Sequence, residues 1–297
     1  KGKFVPRSEC KIDVGDPAFM LGDAVFDMTR CFNGKPFRLR DHLKRLFRSI
    51  DAALMEPPMS MEELEELTLE LVRRNEPLRP AGEEFHITHL VPRAQTPRGA
   101  ARAKSDLIIT MRNIPFDAYA KYYIKGVHLV PVSVRSYPPD TVDPKMKHIS
   151  RMNFCLAKQE ASVIDPEGFP LLQDHYGNIT ESISCNLFFV KDGVVRTPPD
   201  RAILQGTSRA IVMELAANLG IDVREEDVQM YDAYGADEAF ITGTSPCIMP
   251  VSRINTRPLP GPIPGPITQR LLAAYSELAG VDIQDQAISY AKAKGAL

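Results

Sequence analysis

The chain has 297 residues, 44% hydrophobic and 25% charged, with a formal net charge of −2. That length can bury a large core in one or two domains, and the composition excludes a fibrous or intrinsically disordered chain. The near-balanced charge gives no electrostatic reason to expect nucleic acid or an anionic membrane as a partner, and no apolar run approaches a membrane span. Lys1-Gly2-Lys3-Phe4 does not open a signal peptide and leads straight into strand-like sequence. The five cysteines, Cys10, Cys31, Cys155, Cys185 and Cys247, are odd in number, widely spaced and without a Cys-x-x-Cys pair. This reads as reduced thiols of a cytoplasmic protein, not a disulfide frame or a zinc site, with Cys155 and Cys185 as small core residues.

Residues 2–32 read as strands with turns, ending in Ala24 to Phe32. Asn33-Gly34 is a hairpin turn signal, with Phe37-Arg38-Leu39 returning. Asp41 can cap a helix from His42 to about Ala53, apolar along Leu43, Leu46 and Ile50. Ser60-Met61-Glu62-Glu63 is a capping box opening a helix to about Asn75. A strand from Glu84 to Val91 places His86 and His89 on opposite faces. The loop Pro92 to Gly99 carries Arg93 and Arg98, and a guanidinium suits a carboxylate through its paired donors. Asp106 to Arg112 is a strand, Pro115 to Lys125 a connector, and Gly126 to Val134 the first strand of a second domain. Tyr137 to Pro144 reads as a stiff extended segment delivering Lys147.

From Lys147 the chain carries three kinds of chemistry in order. Lys147 precedes a helix through Leu156 to Ala161, and a lysine amine can form a Schiff base with an aldehyde. Two strands around Tyr176-Gly177-Asn178 lead to Glu181, and a buried carboxylate can hold a proton on a ring nitrogen. Gly206-Thr207-Ser208 opens another helix, whose backbone N–H groups can meet a phosphate. Taken alone, Lys147 would be a surface lysine, Arg45 a solvated helix charge and Glu181 an edge-strand carboxylate. Gly220 ends the helix, and Gly243-Thr244-Ser245 forms a second small-residue turn. A proline-studded loop from Asn255 to Pro266 precedes a last amphipathic helix from Ile267 to Ala279. There is no G-x-G-x-x-G and no Walker A motif.

The order Lys147, then Thr180-Glu181-x4-Asn186-Leu187-Phe188, then Gly206-x-x-Arg209 resembles the fold-type IV pyridoxal-phosphate enzymes. These comprise branched-chain and D-amino acid aminotransferases, (R)-amine transaminases and aminodeoxychorismate lyase. Gly22-Asp23-x-Val25-Phe26-Asp27 and His42-Leu43-Lys44-Arg45-Leu46 match the family's N-terminal pattern. The 12-residue spacing from Lys147 to Gln159 matches the D-amino acid enzymes. The resemblance implies an α/β fold of two domains with the cofactor in a cleft between them. A smaller domain is expected over 1–118, a connector and first strand over 119–146, and the rest of a larger domain over 147–297. Lys147 would be the catalytic residue, with Glu181, Arg45, Gly206, Thr207, Ser208, Gly243 and Thr244 also binding pyridoxal 5′-phosphate. Phe26, Arg30, Arg93, Arg98 and Arg151 are candidate substrate contacts. No metal is implied, and a homodimer is. The activity implied is ping-pong transfer of an amino group from a branched-chain or D-amino acid, or a primary amine, to a 2-oxo acid. Lys147-His148-x-x-Arg151-Met152 also resembles the lyase, and a non-catalytic cofactor-binding protein on the same fold is the third reading. The run Cys247 to Val251 replaces the family's usual Glu-Ile-Thr-Pro-Val.

Overall fold

The structure is a computed structural model, and it describes residues 2–94 and 100–297. Chain contacts divide it into two compact units. The first is Lys1–Ile114 with Met146–Arg151, and the second is Pro115–Lys145 with Met152–Leu297.

Among the described residues no strand precedes Ala24, although the sequence over 2–32 reads as strands. A short helix α1 (Pro17–Leu21), capped by the Asp16 side chain, comes before strand β1 (Ala24–Phe32). β1 turns through Asn33 and Gly34, both at positive φ, into β2 (Lys35–Pro36), with Phe32 opposite Lys35. This two-residue turn is the one the Asn-Gly pair predicts. Helix α2 (Leu39–Ala52) begins three residues before the position read from Asp41, at a left-handed Arg38 with no side-chain cap. Asp41 instead lies in the first turn, where its charge suits the helix dipole. Ser60 and Glu63 form the expected capping box of α3 (Met61–Asn75). β3 (Phe85–Pro92) and β4 (Ile108–Asn113) complete an antiparallel sheet of order β2-β1-β3-β4. Side chains alternate along β1. Val25 packs with Leu43, Leu46, Ile50 and Leu64 of α2 and α3, while Phe26, Met28 and Arg30 face the other way.

In the second unit, the stretch read as a connector is helix α4 (Phe116–Lys125), followed by β5 (Val127–Arg135). Residues 137–144 form turns, with Thr141 N–H bonding Pro138 O, and are not an extended rod. Helix α5 (Met152–Ile164) buries Phe154, Ala157 and Ala161. Helical period turns Cys155 outward, so it is exposed and not a core residue; Cys185 is buried. Then come β6 (Phe169–Gln173), β7 (Glu181–Ser182), β8 (Cys185–Lys191), β9 (Val194–Thr197), helix α6 (Thr207–Asn218), β10 (Val223–Glu225), a short α7 (Met230–Tyr234), β11 (Glu238–Gly243), β12 (Cys247–Ile254) and β13 (Arg257–Pro258). They form one mixed sheet of order β10-β9-β8-β11-β12-β5-β6, with β7 on β8 and β13 on β12. Phe188 and Phe240 face each other in the β8–β11 ladder and stack at 4.9 Å. After α8 (Pro266–Ala279) a further helix, α9 (Ile283–Ala293), follows where none was expected. Asp282 caps it, and Tyr290 meets Phe116 of α4 edge-on.

Candidate active site

Lys147 belongs to the first unit, although the sequence suggests grouping it with the residues that follow it. The cause is strand pairing. His148 bridges Val25 antiparallel, Phe26 N–H donates to Lys147 O at 2.8 Å, and Ile149 N–H donates to Ala24 O at 3.0 Å. Ser150 Oγ bonds Gly22 O at 2.7 Å, and Gly22 is left-handed with no room for a Cβ against Ser150. Lys147 is 9% exposed, and its Nζ lies 4.7 Å from the centre of the Phe26 ring. Its main-chain N–H donates to Ser49 Oγ at 3.1 Å.

Arg45, one turn before Ser49 on α2, is buried against Asp27 of β1. Arg45 Nε donates to Asp27 Oδ2 and Nη2 to Oδ1, both at 2.8 Å. His42 Nδ1 lies 2.7 Å from the same Oδ1. Burial opposes the charge on Asp27, but Arg45 and His42 more than offset it and hold the carboxyl well below the usual range. The ionised carboxylate fixes His42 as a donor through Nδ1–H. Burial pushes the imidazole below its ordinary value, Asp27 pulls the other way, and Arg45 and Lys147 add to the lowering. Sequence reading picked Arg45 but not Asp27, His42 or Ser49. Their signal was period: alternate positions on a strand, and i, i+3 and i+7 on one helix face.

Arg30 is buried on the Phe26 face of β1 and stacks on Phe32 at 3.9 Å. It lies opposite His86, and His86 lies opposite Arg112. Burial, with Arg30 and Arg112 adding to it, pushes His86 down to about 4. Arg93 is tied elsewhere: Nε to Asp23 Oδ2 at 2.7 Å and Nη2 to Ala53 O at 2.8 Å. These bonds fasten the chain after β3 to the residue before β1 and to the carbonyl that ends α2. Arg151 is half-buried directly before α5. Arg98 lies outside the described residues.

In the second unit, Glu181 is buried opposite Asn186 in the β7–β8 ladder. Leu204 N–H donates to Glu181 Oε2 at 3.2 Å, and Asn186 Nδ2 donates to Leu204 O at 2.9 Å. The loop before α6 is thereby pinned to both residues. Gly206 is the N-cap of α6, and a Cβ there would sit 2.0 Å from Asn186 Oδ1. Thr207 and Ser208 form the first turn, which has no side-chain cap and no acidic residue. Such a helix start offers backbone donors and a positive dipole end to an anion. Arg209 anchors that turn, bonding Pro198 O at 3.0 Å and Glu225 at 2.7 Å. Gly243 ends β11 against Ser184 O, and Thr244 to Pro246 form the turn into β12. Tyr123 Oη donates to Pro246 O at 2.5 Å and braces that turn.

The parts are a buried amine and arginine in one unit, and a buried carboxylate and two small-residue turns in the other. Among the described residues no His, Cys, Asp and Glu group could hold a metal ion, and no helix is long and apolar enough to cross a membrane. A "Putative branched-chain-amino-acid aminotransferase" of Methanocaldococcus jannaschii is 33% identical over 96% of this chain and 98% of its own length. A D-alanine aminotransferase of Bacillus licheniformis is 28% identical over 92% of this chain and 93% of its own. Among solved structures, the branched-chain aminotransferase of the thermophilic archaeon Thermoproteus uzoniensis with norvaline superposes with a TM-score of 0.83. It is 28% identical and covers 97% of this chain and 95% of its own. The family model for amino-transferase class IV matches residues 24–254, and the chain belongs to that family.

Proposed function

We propose that this aminotransferase holds pyridoxal 5′-phosphate with Lys147, Arg45, Glu181 and the turns at Gly206-Thr207-Ser208 and Gly243-Thr244. The donor set fits that group: a buried primary amine for the aldehyde, a buried carboxylate for the pyridine nitrogen, and an uncapped helix start with a guanidinium for the phosphate. When bound, the cofactor supplies an electron sink that stabilises the carbanion left at the substrate Cα.

The chain's own residues do the rest. Lys147 would hold the cofactor, and its amine is the group that would take and return the proton at the substrate Cα. Phe26 holds the lysine amine against its ring face. Asp27 fixes the Arg45 guanidinium in one orientation, and Leu204 fixes the Glu181 carboxylate. Glu181 keeps the proton on the ring nitrogen. The single observation that carries this reading is the buried Lys147, pinned by main-chain bonds to β1 and α2 with its amine over Phe26.

We further propose a branched-chain amino acid as donor and a 2-oxo acid as acceptor. The relative at 33% identity supports this, as does the half-buried apolar pair Phe26 and Met28 on one face of β1 with Arg30 beyond them for a carboxylate. The protein is proposed to be a homodimer, supported by the exposed apolar side chains Phe19, Met20 and Leu21 of α1 and Met152, Leu156 and Val163 of α5. The test is a half-reaction screen. The aldehyde-loaded protein is mixed with L-amino acids, D-amino acids and (R)-amines while the long-wavelength cofactor band is followed. Branched-chain L-amino acids should bleach it. A band that responds only to D-amino acids refutes the donor, and a band not fixed at Lys147 by borohydride refutes the whole assignment.

A further inference from the structure

We infer that Ser49 is the positioning residue that holds Lys147 in register for its covalent attachment, an inference resting on the reading of Lys147 as the cofactor lysine. Lys147 is the centre of a tight three-residue turn: His148 N–H donates back to Met146 O at 3.1 Å. On one side Lys147 O accepts from Phe26 N–H. A regular antiparallel rung would return the Lys147 N–H to the Phe26 carbonyl. Here the amide turns instead to Ser49 Oγ.

Ser49 is built for that acceptor role. Its hydroxyl donates to Arg45 O, one turn earlier on α2, at 3.1 Å. With its hydrogen spent on the helix, the oxygen presents lone pairs only, and an N–H is the partner that suits them. The residue is 1% exposed, so no water substitutes easily. One oxygen therefore ties the lysine's amide to the main chain of the arginine assigned to the phosphate. The helical rise fixes the spacing between the two residues. Attachment joins Nζ to the cofactor's aldehyde carbon and releases water, and such a step is sensitive to displacements of the order of 1 Å.

The test compares Ser49→Ala and Ser49→Thr with the parent protein, all loaded with pyridoxal phosphate. Borohydride reduction and peptide mass analysis give the fraction of bound cofactor fixed at Lys147. The pH titration of the cofactor band and the hydrogen exchange of the Lys147 amide are measured alongside. Ser49→Ala should still bind cofactor, but fix roughly tenfold less of it, with a shifted band titration and a faster-exchanging amide. Ser49→Thr, which keeps the hydroxyl, should restore most of the fixed fraction. A purely structural role would lower thermal stability and cofactor content without changing the fixed fraction or the titration, and that result overturns the inference. Equal loss in both variants overturns it too. Where Ser49→Ala does not fold, an unprotected Lys147 amide in the parent protein overturns it. A protected amide with normal fixing in Ser49→Thr upholds it. A parent protein that fixes nothing at Lys147 sinks the cofactor reading and this inference together, whereas equal fixing in parent and Ser49→Ala sinks only the inference.

Discussion

Arg45 grips Asp27 with two parallel bonds of 2.8 Å, one to each carboxylate oxygen, in a place that water does not reach. A buried pair of this kind is expensive to break from one side, because the surviving charge is left without its partner. Asp27→Asn should lower stability by about 3–5 kcal/mol. It should also weaken cofactor binding, since the guanidinium assigned to the phosphate loses its fixed orientation. Chemical denaturation and cofactor release measured on the same variant check both effects. Unchanged cofactor affinity would remove Arg45 from the phosphate site.

Stability should fall as the pH is lowered from about 6.5 toward 4, and buried histidines are the cause. Thr68 Oγ1 donates to Leu64 O at 2.6 Å, so His89 Nε2, 2.8 Å away, must donate to Thr68. His89 Nδ1 is then a buried acceptor with no partner among the described residues. Burial pushes His89 down to about 4, although Asp27 pulls the other way. The unfolded chain takes up the proton below its ordinary value while the folded one does not, so stability drains away as the pH falls. The slope can reach about 1.4 kcal/mol per pH unit for each such histidine. His42, also held down by burial, adds with the same sign. Urea midpoints between pH 6.5 and 4.5 should slope less steeply in His89→Gln. An identical slope would take His89 out of the explanation.

Lys147→Ala should abolish cofactor fixing by borohydride and cut turnover on the order of 10²–10⁴-fold. Glu181→Gln keeps an oxygen for Leu204 N–H but loses the charge. It should leave cofactor bound and lower kcat on the order of 10²-fold. Steady-state kinetics with a branched-chain donor separates the two. Full activity in Glu181→Gln would move the ring-nitrogen role to another residue.

Gly206→Ala places a methyl group 2.0 Å from Asn186 Oδ1. Asn186 must then move, and its bond to Leu204 O goes with it. Leu204 in turn holds Glu181, so a change in the turn proposed for the phosphate reaches the carboxylate proposed for the ring nitrogen through two neighbours. A destabilisation of about 1–3 kcal/mol is expected. Cofactor release should be faster, read from fluorescence. A variant with parental release would show that the turn repacks without cost.

What the chain revealed in advance was local. The Asn33-Gly34 hairpin, the Ser60 capping box and the helix opening at Gly206 each depend on residues adjacent in sequence. The resemblance to the family lay in short runs such as Thr180-Glu181 and Gly206-x-x-Arg209. What stayed hidden depends on pairings across long stretches of chain. Lys147 takes its place from β1, and Asp27 meets an arginine on the following helix. Arg93, an equally plausible carboxylate binder by type, is absorbed by Asp23 and a helix-end carbonyl. Prolines at 138, 139 and 144 suggested a rod, yet the hydrogen bond from Thr141 folds that segment into turns. Cys155 is exposed and not in the core, and one outward position on a largely apolar helix carries no compositional mark.

The six residues Met146–Arg151 pack with the first unit while the chain on either side of them packs with the second. A gene fragment ending at Ile114 would therefore encode an arginine, an aspartate and a serine arranged around a missing amine. Neither half can be exchanged wholesale with a homologue's unless this hexapeptide is chosen to match the strand it pairs with. Recombination libraries for the family should accordingly treat 146–151 as an island travelling with the N-terminal parent.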